Sequence, residues 1–247
     1  MDALGDLWSF LTTADNWWGR RGILQRTEAH LWVSLWAILL TALLAVPPAL
    51  LLGRRRRSGL IAVSVVNIGR ALPTFAVLSV AFAVFVSLGD GISIWPTLVA
   101  LVVLGVPPAF TNAYVGIRDV DGSVVDAARG IGMTGREVLR SVELPAATPM
   151  IVAGLRISAV QIVATATLGA FVGYQGLGSF ILEGLAQGSR GTDRLLTGAV
   201  LVALLSVLTD VAFGRLERRL TPWRRPSGLA ARPVVGQTAV TPGKDHP

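Results

Sequence analysis

The chain contains no cysteine, which excludes both a disulfide framework and a thiolate metal site. Its two histidines, His30 and His246, lie far apart with no carboxylate cluster beside them, so no metal centre is expected. Charge is scarce as well. Only 15% of the 247 residues are charged, against roughly a quarter in an ordinary soluble domain, and 52% are hydrophobic. That composition belongs to a membrane protein. The formal charge of +7 does not indicate a nucleic-acid partner, because the basic residues flank apolar runs instead of interleaving with aromatics. There is no G-x-x-x-x-G-K-S/T phosphate loop; the one Gly-Lys pair, Gly243 and Lys244, is followed by Asp. Carboxylates are nearly missing from the apolar runs, with Asp210 the one intramembrane candidate, so no proton-relay ladder is expected. If a chain of this kind takes part in active transport, the energy source has to lie on another subunit.

What the sequence does have is long apolar runs. Leu31 to Leu52 is uncharged and about 33 Å long as a helix, enough for one crossing. Pro47 and Pro48 should bend or fray its last turns. Gly59 to Leu88 is about 45 Å long, too long for one straight span and short for two, and Arg70 and Pro73 interrupt it. One kinked span is the expectation, because two crossings would separate the arginine run at 54–57 from the next polar loop. Spans are further expected over 94–117, 149–172 and 195–213. Between the last two, the glycine-rich stretch from Gly173 to Asp193 reads as a loop with a brief interfacial helix over 179–186. Residues 1–28 lack a signal-peptide core, and Trp8, Trp17 and Trp18 suit a helix lying at the lipid headgroups. Residues 221–247, rich in Pro, Gly and Arg, read as a disordered tail.

Basic residues distribute unevenly over this plan. One side receives Arg54 to Arg57, Arg118, Arg129, Arg136, Arg140, Arg215, Arg218, Arg219 and the tail; the other receives Arg20, Arg21, Arg26, Arg190 and Arg194. The positive-inside rule then puts the N-terminus outside and the C-terminus in the cytoplasm.

The cytoplasmic loop over 118–148 is the most informative stretch. Ser123 with Asp126, and Thr134 with Glu137, each have capping-box spacing, and Gly130 and Gly132 stand between the two helix starts. Pro145 is expected to close the second helix. Val124, Val125, Ala128 and Ile131 are expected to form one apolar face, with Val138, Leu139 and Val142 a second.

Asp126, Ala127, Ala128, Gly132, Leu144 and Pro145 resemble, at the same spacing, the EAA loop of permeases in binding-protein-dependent ABC importers, with Asp126 in place of Glu. Asn67, Gly69, Arg70 and Pro73 are similar to that family's second span. The resemblance implies an all-α membrane protein of about five transmembrane helices, of the ABC importer permease (MetI-like) type, with a cytoplasmic coupling-helix loop. It also implies partners: ATPase subunits carrying ATP and Mg, an extracytoplasmic solute-binding protein, and a second permease subunit, identical or related, in the bacterial cytoplasmic membrane. DAARGIGMTG at 126–135, ATLGAFVGYQGLG at 166–178 and GRLERRL at 214–220 resemble the osmoprotectant branch, which takes up glycine betaine, choline or carnitine. The methionine branch shares the stretch around Arg70. Asn67, Arg70, Thr74, Gln161 and Thr165 are the candidates for the solute path; for Arg70 a buried ion pair is the competing reading. An ATP-independent channel with Arg70, Arg156 and Asp210 as gating charges is the alternative from another class. No catalytic residue, bound cofactor or metal is expected on this chain.

Overall fold

The computed structural model describes residues 3–19, 21–55, 63, 64, 66, 69, 72–90 and 92–222, and every regular element among them is helical. In chain order they are α1 (Ala3–Thr12), α2 (Ile23–Arg54), α3 (Thr74–Ser87), α4 (Trp95–Arg118), α5 (Gly122–Gly130), α6 (Gly135–Val138), α7 (Leu144–Thr165), α8 (Gly178–Ala186) and α9 (Thr192–Leu220). Four stretches are long and apolar enough to cross a membrane: α2, α4, the continuous helix over 135–172, and the helix over 188–220. With 14 residues α3 spans about 21 Å, less than the roughly 30 Å hydrocarbon core. It is a fifth apolar helix that cannot cross alone. Val63, Ser64, Val66 and Gly69 upstream are also helical, whereas Leu72 and Pro73 are not, since proline disfavours a helical residue before it. Asn67, Arg70 and most of the tail over 221–247 lie outside the described residues.

Several helices differ from their expected bounds; the last runs Thr192–Leu220 against an expected 195–213. The first begins at Ile23, eight residues before the apolar run, because Arg26 and His30 find buried partners there. It passes Pro47 and Pro48 without fraying and reaches Arg54, its last turns pinned by Ala45 and Ala49 against Ala109, Phe110, Ala113 and Tyr114 of α4. Pro145, expected to end a helix, does not. A five-residue π-helical turn, Leu139–Glu143, joins α6 to α7, and the Leu144 N–H donates to Leu139 O five residues back. The wider turn accommodates a proline that has no N–H to offer. The chain therefore runs as one helix from Gly135 into the bundle.

The central helix is α4, packed against α2, α3 and α7. Lipid tails are as apolar as leucine, so helix association in a membrane relies on close approach of small residues. At Gly154 a Cβ would lie 2.5 Å from Asn112 Cβ and 3.0 Å from Pro108 O, so α7 meets α4 backbone to backbone. Beside this contact the buried Ser158 hydroxyl lies 2.7 Å from Gly105 O, where it donates across the same pair of helices.

Candidate functional site

The loop between α4 and α7 is a built structure. Asp121, not Ser123, caps α5: its carboxylate accepts the Ser123 N–H at 2.9 Å, so the helix starts at Gly122 and Ser123 falls inside its first turn. The expected Ser123–Asp126 box is absent, and Asp126 instead projects outward, 79% exposed, with Arg129 3.9 Å away. An aspartate ahead of the first turn is an equally good cap and takes the start. The second box is present. Thr134 Oγ1 accepts the Glu137 N–H, while the Glu137 carboxylate accepts the Thr134 N–H at 2.7 Å. The Thr134 N–H and then the Thr134 hydroxyl, which also donates to that carboxylate at 2.8 Å, hold the Glu137 carboxyl below its ordinary pKa of 4.5. Between the two helices Gly132 takes φ +91°; its N–H donates to Arg129 O and the Met133 N–H to Ala128 O, the pattern of a Schellman turn.

Burial divides the loop's apolar residues differently from the expectation of one face per helix. Val125, Ala128 and Val138 are buried together, with Val120, Met133 and Val142 around them. Val124 and Ile131 are 51% and 82% exposed and, with exposed Ala127, make an outward stripe at helical spacing. The loop holds itself together by one face and presents the other.

Arg54 anchors it to the bundle. The Arg54 guanidinium donates to Gly135 O at 2.9 Å and meets the buried Glu143 carboxylate at 2.6 Å. An arginine that sequence marks only as a topology signal thus fastens the end of α2 to both ends of the α6 to π-turn segment. A cavity of about 200 Å³ lies between Arg54, Ile117, Val125, Asp126 and Glu143. Of the six motif residues, Ala128 is buried, Leu144 and Pro145 are half-buried in the helix leaving the loop, and Asp126, Ala127 and Gly132 are exposed.

Among the path candidates, Thr74 and Gln161 line one cavity of about 280 Å³ with Leu72, Val77, Leu104 and Pro108, between α3, α4 and α7. Thr165, half-buried one turn beyond Gln161, is not among its lining residues. Arg156 and Asp210 are paired with each other: two contacts of 2.6 Å join α7 to α9, with Glu217 3.8 Å from the same guanidinium.

The opposite end of the bundle carries a cluster that sequence did not single out. Arg26, 1% exposed, donates twice to Glu183 and lies 4.2 Å over the Phe180 ring, and Arg194 meets Glu183 at 3.3 Å. Tyr174 donates to Ala29 O at 2.6 Å; burial pushes its phenol up to about 12, so it remains a donor. The available signal was Glu183, a single acid in the apolar helix GSFILEGLA, a partner for a cation such as the buried Arg26. α1 packs on α9, with Phe10 edge-on to Phe180, while Trp8 faces outward at 70% exposure.

Residues 37–222 match the family described as binding-protein-dependent transport system inner membrane component. The chain is 36% identical over 200 residues to the carnitine transport permease protein OpuCB of Listeria monocytogenes, covering 81% of this chain and 88% of that one. It is 38% identical over 200 residues to the choline transport system permease protein OpuBB of Bacillus subtilis, covering 81% and 89%. With the osmoprotectant import permease protein OsmY of Salmonella typhimurium it shares 34% over 197 residues, covering 79% and 80%. In fold it is similar to a chain of the methionine ABC transporter MetNI in inward-facing conformations, with TM-score 0.70 and 23% identity, over 81% of this chain and 96% of that one.

Proposed function

The chain belongs to the binding-protein-dependent transport system inner membrane components, and from that premise we propose that it carries a quaternary-ammonium osmoprotectant, glycine betaine, choline or carnitine, across the bacterial cytoplasmic membrane. The observation that carries this reading is likeness over four-fifths of the chain to permeases named for those solutes. Two permease subunits, identical or related, enclose the path, and partner subunits bind and hydrolyse ATP with Mg. A separate extracytoplasmic protein delivers the solute. The N-terminus lies outside and the C-terminus in the cytoplasm, with residues 1–28, 29–220 and 221–247 as outer segment, permease domain and tail.

The loop couples ATP hydrolysis to transport through its exposed stripe, Val124, Ala127 and Ile131, which docks on the ATPase subunit. Asp126 sits beside that stripe as a docking residue. The capped α5, the Schellman turn and the Arg54 anchor make the loop a rigid lever. Because α6 continues into α7, a displacement at the loop moves the helix that bears Gln161 at the solute cavity. Thr74 and Gln161 face the solute at this cavity, and Asn67, Arg70 and Thr165 are further path candidates from the sequence. Arg156 and Asp210 serve as an interhelical clamp, which leaves the ATP-independent reading without its two described gating charges.

The test is uptake of radiolabelled glycine betaine, choline and carnitine in cells carrying this chain with its ATPase and binding protein, against an ATPase-dead control. Uptake that needs ATP hydrolysis is expected. Transport of none of the three, or transport that persists without ATPase activity, overturns the reading.

A further inference from the structure

Between α1 and α2 the chain turns, with the Gly22 N–H donating to Gly19 O at 3.0 Å. A Cβ at Gly22 would lie 2.6 Å from Trp18 O, so the turn closes this tightly only with glycine there. Trp18 and Arg21 stand three residues apart on it, both exposed, against a cavity of about 310 Å³ whose lining includes Phe10, Asp15, Glu183 and Arg194. A second, more open cavity of about 520 Å³ shares Arg21, Glu183 and Arg194 and adds the amides of Gln175 and Gln187. The three shared residues border both cavities, which together form the cleft. Arg21 and Asp15 have no ion-pair partner among the described residues, whereas Glu183 is already taken by Arg26 and Arg194.

The lining combines two kinds of recognition group. Trp18, Phe10 and the free Asp15 carboxylate suit a cation, because an aromatic face attracts a quaternary ammonium and tryptophan does so best. The cleft already shows one such contact, Arg26 over Phe180. Arg21 and Arg194, with two neutral amides, suit a carboxylate. Arg21, Arg26 and Arg194 against Asp15 and Glu183 leave an excess of one positive charge, which disfavours a bare cation and tolerates a zwitterion.

We infer that this cleft is a second solute site, specific for trimethylammonium carboxylates such as glycine betaine and carnitine and selective against choline, which has no carboxylate. Arg21 and Arg194 hold the carboxylate, and Trp18 with Asp15 holds the ammonium. The inference rests on the solute class proposed above. It adds a site on the permease itself, at the bundle end opposite the coupling loop, where solute released outside would first meet the chain.

The experiment titrates the full chain with its ATPase subunits in nanodiscs, without solute-binding protein, with glycine betaine, carnitine and choline, read by calorimetry and tryptophan fluorescence. Saturable binding of the two carboxylates is expected, with choline at least tenfold weaker. Arg21→Gln is expected to weaken the carboxylates tenfold or more without affecting choline, and Trp18→Ala to weaken all three. Because Trp18 and Arg21 are exposed, both single variants should elute as the parent does on size exclusion. No saturable binding, equal binding of choline, or unchanged affinity in Arg21→Gln overturns the site. So does an Arg21→Gln variant that keeps its solute affinity but loses association with the solute-binding protein, since the cleft is then a docking surface. Uptake by the complete importer is measured in parallel. Uptake without binding removes this site and leaves the permease reading intact, whereas uptake of none of the three solutes removes the solute class.

Discussion

Arg54 and Glu143 meet at 2.6 Å across 89 residues of chain, joining the last turn of α2 to the π turn that feeds α7. Glu143 is 6% exposed, and this guanidinium is its ion-pair partner. Removing the cation strands the carboxylate. Arg54→Ala is expected to destabilise the protein by about 3 kcal/mol, the range for breaking a buried pair from one side. Glu143→Gln should cost less, because it removes the charge that needs pairing. Thermal denaturation in detergent checks the order of the two; an Arg54→Ala variant as stable as the parent would show that the anchor contributes nothing.

Gly132 has open space where a Cβ would be, so substitution there acts through the backbone alone. At φ +91° a β-branched side chain is strained by about 1–3 kcal/mol, while asparagine tolerates the left-handed region better. Gly132→Val is expected to lower ATP-coupled uptake while membrane insertion is retained, and Gly132→Asn to lower it less. Equal, normal uptake in both variants counts against the turn's role.

The outward stripe separates docking from folding. Val124→Asp and Ile131→Asp replace exposed side chains and should change stability by less than about 0.5 kcal/mol. Both are expected to lose co-purification with the ATPase subunit. Val125→Asp, at a buried position, should lose stability as well. Retained ATPase binding in Ile131→Asp would refute the docking face.

Glu137 supplies a pH test with a definite sign. Its folded pKa is depressed, first by the Thr134 N–H and then by the Thr134 hydroxyl, so its contribution to the loop is complete above 4.5 and is lost as the pH falls through the lowered folded value. The Glu137 carboxyl, followed by NMR, should titrate below 4.5, and Thr134→Ala should move it upward. A midpoint at or above 4.5 in the parent chain would rule out the capping box in solution.

Much of this was legible in the chain itself. Uncharged runs long enough to span lipid can only be helices that satisfy their own backbone, which is why the spans led by Leu31, Ile94 and Leu195 were readable without coordinates. The Thr134–Glu137 box and the Gly132 turn were readable for the same reason: both are local, depending on residues three or four apart. The motif spacing around Asp126 identified the loop before its shape was known.

Other features depended on contacts between distant parts of the chain. Sequence periodicity could not decide whether Asp121 or Ser123 caps α5, nor that Val125 turns inward and Val124 outward, because α6 and the π turn supply the covering surface. Pro145 looked like a stop, since the π turn that carries the helix past it has no sequence signature of its own. Arg26, Arg54 and Arg156 read alike as basic residues near or within membrane spans. Only the tertiary fold shows that each holds a specific acid, Glu183, Glu143 or Asp210, on a helix far away in sequence. An ion pair is chosen by three-dimensional proximity in a low-dielectric setting, and composition or spacing along one helix does not encode that proximity.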